Sequence, residues 1–347
     1  MPASLTARSL AVVRGPLVVL DDDDLTLAPG HRVGLVGPNG VGKSTLLAAL
    51  AGRVDLERGS VKVAPRTANV GLLPQEPERS ATETVREFLA RRSGVAWAQV
   101  ELDAATAALA ASDAGADDRY SDALDRWLAL GAADFDARVG EVWHELGLDA
   151  RLIDQPTLTL SGGEAARSSL ASLLLSRFDV FLLDEPTNDL DLDGLERLEH
   201  WVLGLDAPVL LVSHDRSFLR RTITDVVEID HHSHRAMWFA GGWESFLAER
   251  ELARQHARER FEEYDAKRSA LEQRAQRERE WATQGRAKVR KSGENDKYIR
   301  HFKVDQTEQL AGKAARTQKA AERLEAVEEP REPWELRLAI PDAGRSG

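Results

Sequence analysis

Three short apolar runs in the first 215 positions predict strands of a parallel sheet. They are HRVGLVG at 31–37, VFLLDE at 180–185 and PVLLVSHD at 208–215, and each ends in small or polar residues. Uninterrupted apolar runs are typical of strands that helices cover on both faces. Segments 43–51 and 164–177 have helical spacing. The pattern predicts an α/β fold, in which ligands bind beyond the carboxyl ends of the strands.

Two other regions show only helical patterns. Residues 80–155 are rich in Ala and Asp, place Leu124, Trp127 and Leu128 at helical spacing, and predict a helical insertion in the α/β domain of residues 1–243. Residues 244–329 contain no proline and are rich in Glu, Arg, Gln, Ala and Lys. They predict a charged linker of two long antiparallel helices, an αα-hairpin.

The turn of this hairpin is expected in the basic stretch KVRKSGENDKYIRHFK, with Gly285 and Gly293 as bend points. Beyond it, residues 330–347 include the strand-like ELRLAI. We interpret that segment as the start of a second domain of which this chain holds only the beginning.

Composition narrows the class of protein. The 347 residues carry a net charge of -12 and no cysteine, which excludes disulfides and thiolate chemistry. No apolar run approaches the roughly 20 residues that cross a bilayer, and no signal-peptide pattern opens the chain, so we expect a cytoplasmic protein. Positions 286–303 are the exception to the acidic balance, with seven basic and two acidic residues. A local reversal of charge indicates a local task.

The segment GPNGVGKST at 37–45 matches the phosphate-binding-loop pattern. Its glycines let backbone N–H groups converge on phosphates, and the following helix directs its positive end at them. Lys43 is expected to reach the β- and γ-phosphates, and Ser44 is expected to bind Mg²⁺. The alternative is an ordinary glycine-rich turn, which the apolar strand before the segment and the helix after it disfavour. The predicted nucleotide-binding residues are Gly37, Pro38, Asn39, Gly40, Val41, Gly42, Lys43, Ser44 and Thr45.

Two acids follow the second apolar run. Asp184, at the end of the strand, is placed to hold Mg²⁺ through water, and Glu185 beside it is placed to polarise an attacking water. The alternative is a pair of acids that caps a turn, and the phosphate loop in the same chain disfavours it.

The segment LSGGE at 160–164 supplies a second anion-binding helix start, because Ser161, Gly162 and Gly163 precede a helical pattern. Together with the phosphate loop and the strand-end acids, it resembles the signature of ATP-binding cassette (ABC) ATPases. Gln75 in LLPQEP resembles the Q-loop of that family, NDLD at 188–191 its D-loop and His214 in VSHD its switch histidine.

The resemblance implies a role for each motif, with ATP and Mg²⁺ as cofactors. Gln75 would bind nucleotide and Mg²⁺, and His214 would hold the γ-phosphate, Glu185 and the attacking water. The signature would act on ATP bound to a second cassette, since two cassettes of this family enclose ATP between them. The implied assignments are catalysis to Glu185 and His214, metal binding to Ser44, Gln75 and Asp184, the signature to Ser161, Gly162, Gly163 and Glu164, and the D-loop to Asp189 and Asp191.

Several conspicuous features have ordinary interpretations. DDDD at 21–24 is expected to be a solvated turn and HHSH at 231–234 a hairpin turn, because neither has the ligand spacing of a metal site. The tryptophans are expected to anchor the core or an interface, namely Trp127, Trp143, Trp201 and Trp243. The family usually stacks an early aromatic residue on adenine, and LAVVRGPLVVL has none; Val12, Val13 and Arg14 are the residues at hand, and none is assigned to the base.

Three functions compete for such a cassette. It could be the ATPase subunit of a membrane transporter, an ABC-F-type protein with two cassettes joined by a helical hairpin that acts on ribosomes in translation or antibiotic resistance, or a nucleic-acid scaffold with a slow nucleotide switch. The long charged linker and DEPTNDLD followed by SHDRSFL resemble ABC-F proteins. Glu185 and His214 are both present, which disfavours a silent switch.

The basic stretch suits RNA, because cations meet phosphates and flat rings meet exposed bases. Its alternative interpretation is a solvated loop on a coiled coil. The expected partners are a second cassette, from the same longer polypeptide or a second copy, and ribosomal RNA and tRNA. The candidate RNA contacts are Lys288, Arg290, Lys291, Lys297, Tyr298, Arg300 and Lys303.

Overall fold

A computed structural model describes residues 2–14, 17–74, 79–231, 233–291, 309, 312–324 and 327. The chain divides into two units, the first up to Leu247 and the second from Ala248. None of the helices in the described ranges is both long and apolar enough for a bilayer crossing.

The three predicted strands are confirmed and lie side by side in a six-stranded, mostly parallel sheet. They are β3 (Arg32–Val36), β6 (Val180–Asp184) and β7 (Val209–Val212). Every residue of β6 and β7 is buried, as the uninterrupted apolar runs predict. The order across the sheet is β5-β6-β7-β3-β8-β9, completed by β5 (Val70–Leu73), β8 (Asp225–Ile229) and the antiparallel edge strand β9 (Ala236–Ala240).

A second, antiparallel sheet of three strands was not predicted. Its order is β2-β1-β4, with β1 at Ser4–Arg14, β2 at Leu17–Leu27 and β4 at Arg58–Ala64. Alternate positions of β1 such as Leu5 and Ala7 are buried in a cluster with Leu46 and Leu47 of helix α1 (Lys43–Leu50). One face of this sheet therefore covers the helix that follows the phosphate loop.

The acidic run at 21–24 lies inside β2, so the predicted solvated turn is wrong. Asp21 accepts from Arg58 of β4 at 2.6 Å, and Asp24 accepts from Arg8 of the neighbouring strand β1 at 2.8 Å. Asp23 accepts from the backbone N–H of Ala236 in β9 at 3.0 Å. Cross-strand cations and a backbone donor thus offset charges that would otherwise disfavour a strand. No cluster of metal-ligating side chains occurs among the described residues.

The helical pattern at 80–155 is confirmed by four helices. They are α2 (Val85–Arg92), α3 (Val95–Ala110), α4 (Ala116–Ala129) and α5 (Phe135–Glu145). Their buried side chains Phe88, Val139 and Trp143 share a core with Phe181 of the sheet. Trp143 and Trp243 are buried and Trp127 and Trp201 are partly buried against the same core, which confirms the four as anchors.

The remaining helices of the first unit connect the strand ends. They are α6 (Gly162–Leu174), α7 (Leu192–Leu203) and α8 (Arg216–Thr222). Residues 231–234 join the antiparallel strands β8 and β9, so the described positions of HHSH belong to the predicted hairpin turn.

The linker is helical, as predicted. Helix α9 runs over Gly242–Lys291, and residues 312–322 form a second helix. The two pack through buried Ala275 and Ala314, and Thr317 Oγ1 donates to Glu278 Oε2 at 2.9 Å. One cavity is lined by Arg279 and Gln318 and also by Tyr264, earlier in α9, and Leu324, just after the second helix, so the helices are antiparallel.

The predicted bend at Gly285 is wrong, because α9 continues through it to Lys291. The backbones of Lys288, Arg290 and Lys291 therefore belong to the end of a helix. The second bend point, Gly293, the strand-like ELRLAI and the RNA candidates Lys297, Tyr298, Arg300 and Lys303 lie outside the described residues.

Candidate nucleotide-binding and hydrolysis site

The phosphate loop lies between β3 and α1 in a conformation that requires glycine. Gly40 has φ 80° and Gly42 has φ 103°, in the left-handed region that L side chains rarely adopt. Gly42 is the N-cap of α1, and a Cβ at Gly42 would lie 2.6 Å from Val19 Cγ1. Backbone strain and close approach to β2 therefore both fix glycine here.

Lys43, the first residue of α1, is half-buried at the loop. Its Nζ donates to the carbonyl oxygens of Gly37 at 3.0 Å and Pro38 at 3.1 Å. Burial lowers the pKa of Lys43, and the neighbouring carboxylates of Glu185 and Asp184 oppose that shift. The loop thus places one ammonium group near two acids. The ammonium group can bind a phosphate, and the acids can bind a cation.

Asp184 ends β6 inside the protein. Burial raises the pKa of this carboxyl, while a hydrogen bond with Ser44 and the charge of Lys43 act in the opposite direction. A carboxylate and a hydroxyl are hard oxygen ligands, so Ser44 and Asp184 fit Mg²⁺. The third predicted ligand, Gln75, lies outside the described residues.

Glu185 is 4% exposed and has φ 50°, an uncommon backbone conformation for a residue with a side chain. Burial raises the pKa of its carboxyl to about 7, and the hydrogen bond that His214 N donates to Oε2 at 3.0 Å lowers it. Glu185 Oε1 lies 3.2 Å from His214 Nε2 and has no hydrogen-bond partner within the described part of the chain. A buried acceptor with spare capacity suits a water-polarising role.

His214 follows β7, the neighbour of β6 in the sheet. Burial, and next the charge of Lys43, lower the pKa of His214 from its ordinary 6.5. The imidazole is therefore mainly neutral at pH 7 and can donate from one ring nitrogen while it accepts at the other. Lys43, Asp184, Glu185 and His214 converge at the carboxyl edge of the parallel strands.

The signature segment (160–164) begins α6 at the surface. Ser161 is its N-cap and forms a capping box with Glu164, in which Ser161 N donates to Glu164 Oε2 at 2.8 Å and Glu164 N donates to Ser161 Oγ at 3.4 Å. Ser161 Oγ also donates to Glu164 Oε2 at 2.7 Å. A Cβ at Gly162 or Gly163 would meet nothing within 4 Å. The side-chain and backbone hydrogen bonds from Ser161 lower the pKa of Glu164.

The D-loop follows Glu185 on the same side of the sheet. Asp189 has φ 61°, and Asp191 caps α7 by accepting from Gly194 N at 2.9 Å. Gly162, Asp184, Glu185 and Asp189 line one cavity of about 480 Å³, so α6 begins near the strand-end acids.

Comparison with known proteins agrees with this geometry. The ABC transporter family model matches residues 20–188. The tylosin resistance ATP-binding protein TlrC of Streptomyces fradiae is 35% identical over 256 residues, 72% of this chain and 46% of that protein. ABC transporter F family member 5 of Arabidopsis thaliana is 34% identical over 238 residues, 67% of this chain and 34% of that protein.

The chain belongs to the ABC-F family of ATP-binding cassette proteins. Another relative of this ABC-F chain, the energy-dependent translational throttle protein EttA of Mycobacterium tuberculosis, is 32% identical over 324 residues, 90% of this chain and 53% of EttA. This ABC-F chain thus spans about half the length of those relatives, or less. Among solved structures, an ATP binding subunit of an ABC transporter matches with a TM-score of 0.50 and 20% identity over 68% of this chain and 89% of that chain, which supports the fold alone.

Two residues of the ABC-F site escaped the sequence analysis. Thr187 Oγ1 and Ser213 Oγ lie 2.8 Å apart and link the segments that carry Glu185 and His214. The sequence could have indicated them, because DEPT and VSHD each place a hydroxyl residue within two positions of Glu185 or His214. Val12 is fully buried in the core and therefore cannot cover the adenine base. Val13 is half-buried. The side chain of Arg14 lies outside the description.

Proposed function

We propose that this chain binds ATP and Mg²⁺ at its phosphate loop, hydrolyses ATP together with a second cassette, and acts on the ribosome in the cytoplasm. The observation that carries the proposal is the convergence of Lys43, Asp184, Glu185 and His214, in a chain that continues into a charged antiparallel hairpin. The first part supports nucleotide hydrolysis, and the second favours a ribosome-bound ATPase over a transporter subunit.

Each residue of the site has a role in hydrolysis. The loop N–H groups and Lys43 bind the phosphates, and Ser44 and Asp184, with Gln75, hold Mg²⁺. That ion neutralises the charge that develops on the phosphate oxygens. Glu185 has a pKa of about 7, so a large fraction is ionised at neutral pH and accepts a proton from the attacking water. Neutral His214 orients that water and the γ-phosphate.

A second cassette is the proposed partner of the signature segment. The exposed start of α6 carries Ser161, Gly162, Gly163 and Glu164. A Cβ added to either glycine would meet no other atom within 4 Å. Since neither glycine has a positive φ, the fold of this chain does not itself require glycine there. Close approach by a bound phosphate does, and Asp189 and Asp191 of the D-loop are proposed to contact the same partner.

The ribosome is the proposed site of action. Related proteins carry the names translational throttle and tylosin resistance protein. Helix α9 ends in Lys288, Arg290 and Lys291, which we propose as contacts to ribosomal RNA or tRNA together with Lys297, Tyr298, Arg300 and Lys303. The roles of translation factor and antibiotic-resistance protein both fit these contacts.

The test is ribosome co-sedimentation with the Glu185→Gln variant, which is expected to bind ATP without hydrolysing it. We expect pelleting that depends on ATP and is weaker with ADP. Absence of pelleting, together with co-purification of a membrane permease, would overturn the ribosome assignment in favour of the transporter alternative.

Charge reversal separates the hairpin from the nucleotide site. The triple substitution of Lys288, Arg290 and Lys291 to Glu should abolish pelleting and leave ATP affinity unchanged, because no predicted nucleotide contact is altered. The matched control reverses three exposed cations of the same helix, Arg258, Arg260 and Lys267, and should pellet like the parent. Equal loss in both variants would point to net charge instead of a contact at the end of α9.

A further inference from the structure

Two hydroxyl groups join the segment after Glu185 to the segment that carries His214. Thr187 Oγ1 and Ser213 Oγ lie 2.8 Å apart, and Ser213 is only 3% exposed. Ser213 Oγ also accepts a hydrogen bond from Asp215 N at 3.0 Å. Because the two segments follow the neighbouring strands β6 and β7, this hydroxyl pair crosses the edge of the sheet.

The hydroxyl pair stands beside the contacts that relate Glu185 to His214. Glu185 N donates to Val212 O at 2.9 Å, which fixes the first residue after β6 against the end of β7. His214 N donates to Glu185 Oε2 at 3.0 Å. Residue 213 lies between these two contacts, so its position sets where His214 meets Glu185.

The position of Ser213 is fixed from two sides. Asp215, which caps α8 by accepting from Ser217 N and Phe218 N, donates its own N–H to Ser213 Oγ. Thr187 approaches the same oxygen from the loop after β6. Without Thr187, Asp215 N alone would hold Ser213 Oγ, and only the contacts of Glu185 with Val212 and His214 would join the two loops.

We propose that Thr187 and Ser213 are positioning residues for ATP hydrolysis, whose hydrogen bond holds His214 against Glu185 in the arrangement that the attack of water requires. The inference rests on the proposed roles of Glu185 and His214. Thr187 and Ser213 act through those two residues. Their loss should reduce the turnover number, because small errors in the placement of reacting groups are costly, and should leave ATP binding intact.

The sharpest variant is Thr187→Val, which removes the hydroxyl and nearly keeps the shape. We expect kcat to fall about tenfold, with KM and ATP affinity within about twofold of the parent. Thr187→Ser keeps the hydroxyl and should recover most of the rate. The control is Thr222→Val, which removes a buried hydroxyl whose partner is Phe218 O within α8, and should leave kcat unchanged.

Ser213→Ala tests the same hydrogen bond if Thr187→Val unfolds below the assay temperature. Since both substitutions remove the same hydrogen bond, the double variant should lose little more activity than Ser213→Ala alone. These rates are measured with the second cassette present, and thermal unfolding is recorded for every variant.

The outcomes separate this inference from the function beneath it. If the parent protein releases no phosphate from ATP, the proposed function fails. If the parent is active and the folded Thr187→Val and Ser213→Ala variants keep the parental kcat, the positioning role is wrong. A rate loss in Thr187→Val that Thr187→Ser does not recover, or multiplicative losses in the double variant, would also overturn it.

Discussion

The phosphate loop (37–45) and the signature segment (160–164) both present a helix N-terminus, yet their surroundings are opposite. Gly42 is strained and pressed against Val19, and Lys43 is half-buried among acids. At the signature segment the glycines have open space, and Ser161 and Glu164 satisfy each other at the surface. The first helix start is determined by the fold of this chain. The signature segment carries glycines that neither the backbone conformation nor the packing of this chain requires.

Replacement of Glu185, the acid near the phosphate loop, should have the largest effect on ATP hydrolysis. In Glu185→Gln the proposed base is lost, so phosphate release should fall about 100- to 1000-fold, and ATP should still bind. Phosphate release and a nucleotide titration measure the two separately. A variant that keeps more than a tenth of the parental rate would show that hydrolysis does not depend on the buried acid.

Gly42→Ala should damage the fold far more than the same substitution at the signature segment. The added Cβ meets Val19 at 2.6 Å in a left-handed backbone, so we expect unfolding to become easier by about 2–4 kcal/mol and ATP binding to be lost. Chemical denaturation compares it with the parent. An unchanged unfolding free energy would mean that the loop relaxes and that glycine is required by nucleotide alone.

The two glutamates beside these helix starts should respond to pH in opposite directions. Burial raises the pKa of Glu185 from 4.5 to about 7, so the folded state favours the protonated acid and loses stability as pH rises from 4.5 through 7. Hydrogen bonds with Ser161 lower the pKa of Glu164, so its contribution is present above 4.5 and is lost as pH falls below that value.

Thermal unfolding across pH tests this contrast with one variant for each acid. Relative to the parent, Glu185→Gln should gain stability as pH rises to 8, because a neutral amide avoids the buried charge. Glu164→Gln should lose stability relative to the parent at neutral pH, and the difference should vanish in acid. Parallel profiles for both variants would contradict the difference in burial.

Gly163→Ala should have the smallest effect on the fold. Nothing lies within 4 Å of the added Cβ, and alanine favours a helix, so unfolding should become harder by about 0.5 kcal/mol. Hydrolysis with a second cassette should nevertheless decrease. A variant with full activity would leave the open space above the signature segment without a function.

Much of the nucleotide site is predictable because its residues are dictated locally. Buried parallel strands give uninterrupted apolar runs, and the turn into α1 demands glycine at Gly42 for reasons that any such loop shares. Lys43, Asp184 and Glu185 follow from the ends of these elements. Motif spacing therefore predicts the edge of the sheet at which they meet.

The errors come from long-range pairing. DDDD at 21–24 looks like a turn until strand pairing brings Arg8, Arg58 and Ala236 beside it. Gly285 looks like a break, but α9 continues through it, and one glycine costs a helix only about 1 kcal/mol. The Thr187–Ser213 contact likewise joins residues whose partnership depends on sheet order.

The capping box of α6 has a consequence for the strength of cassette association. The Ser161 hydroxyl that the proposed function directs to a phosphate in a second cassette is already bonded to Glu164 Oε2 within its own helix. A phosphate oxygen would have to compete with that carboxylate for the Ser161 hydroxyl, and a hydrogen bond to either ionised acceptor is charge-assisted. In the proposed function, Glu164 would therefore weaken the contact of the signature segment with ATP. The affinity of the two proposed cassettes for each other would then depend on the acceptor strength of the Glu164 side chain, without any change at the phosphate loop.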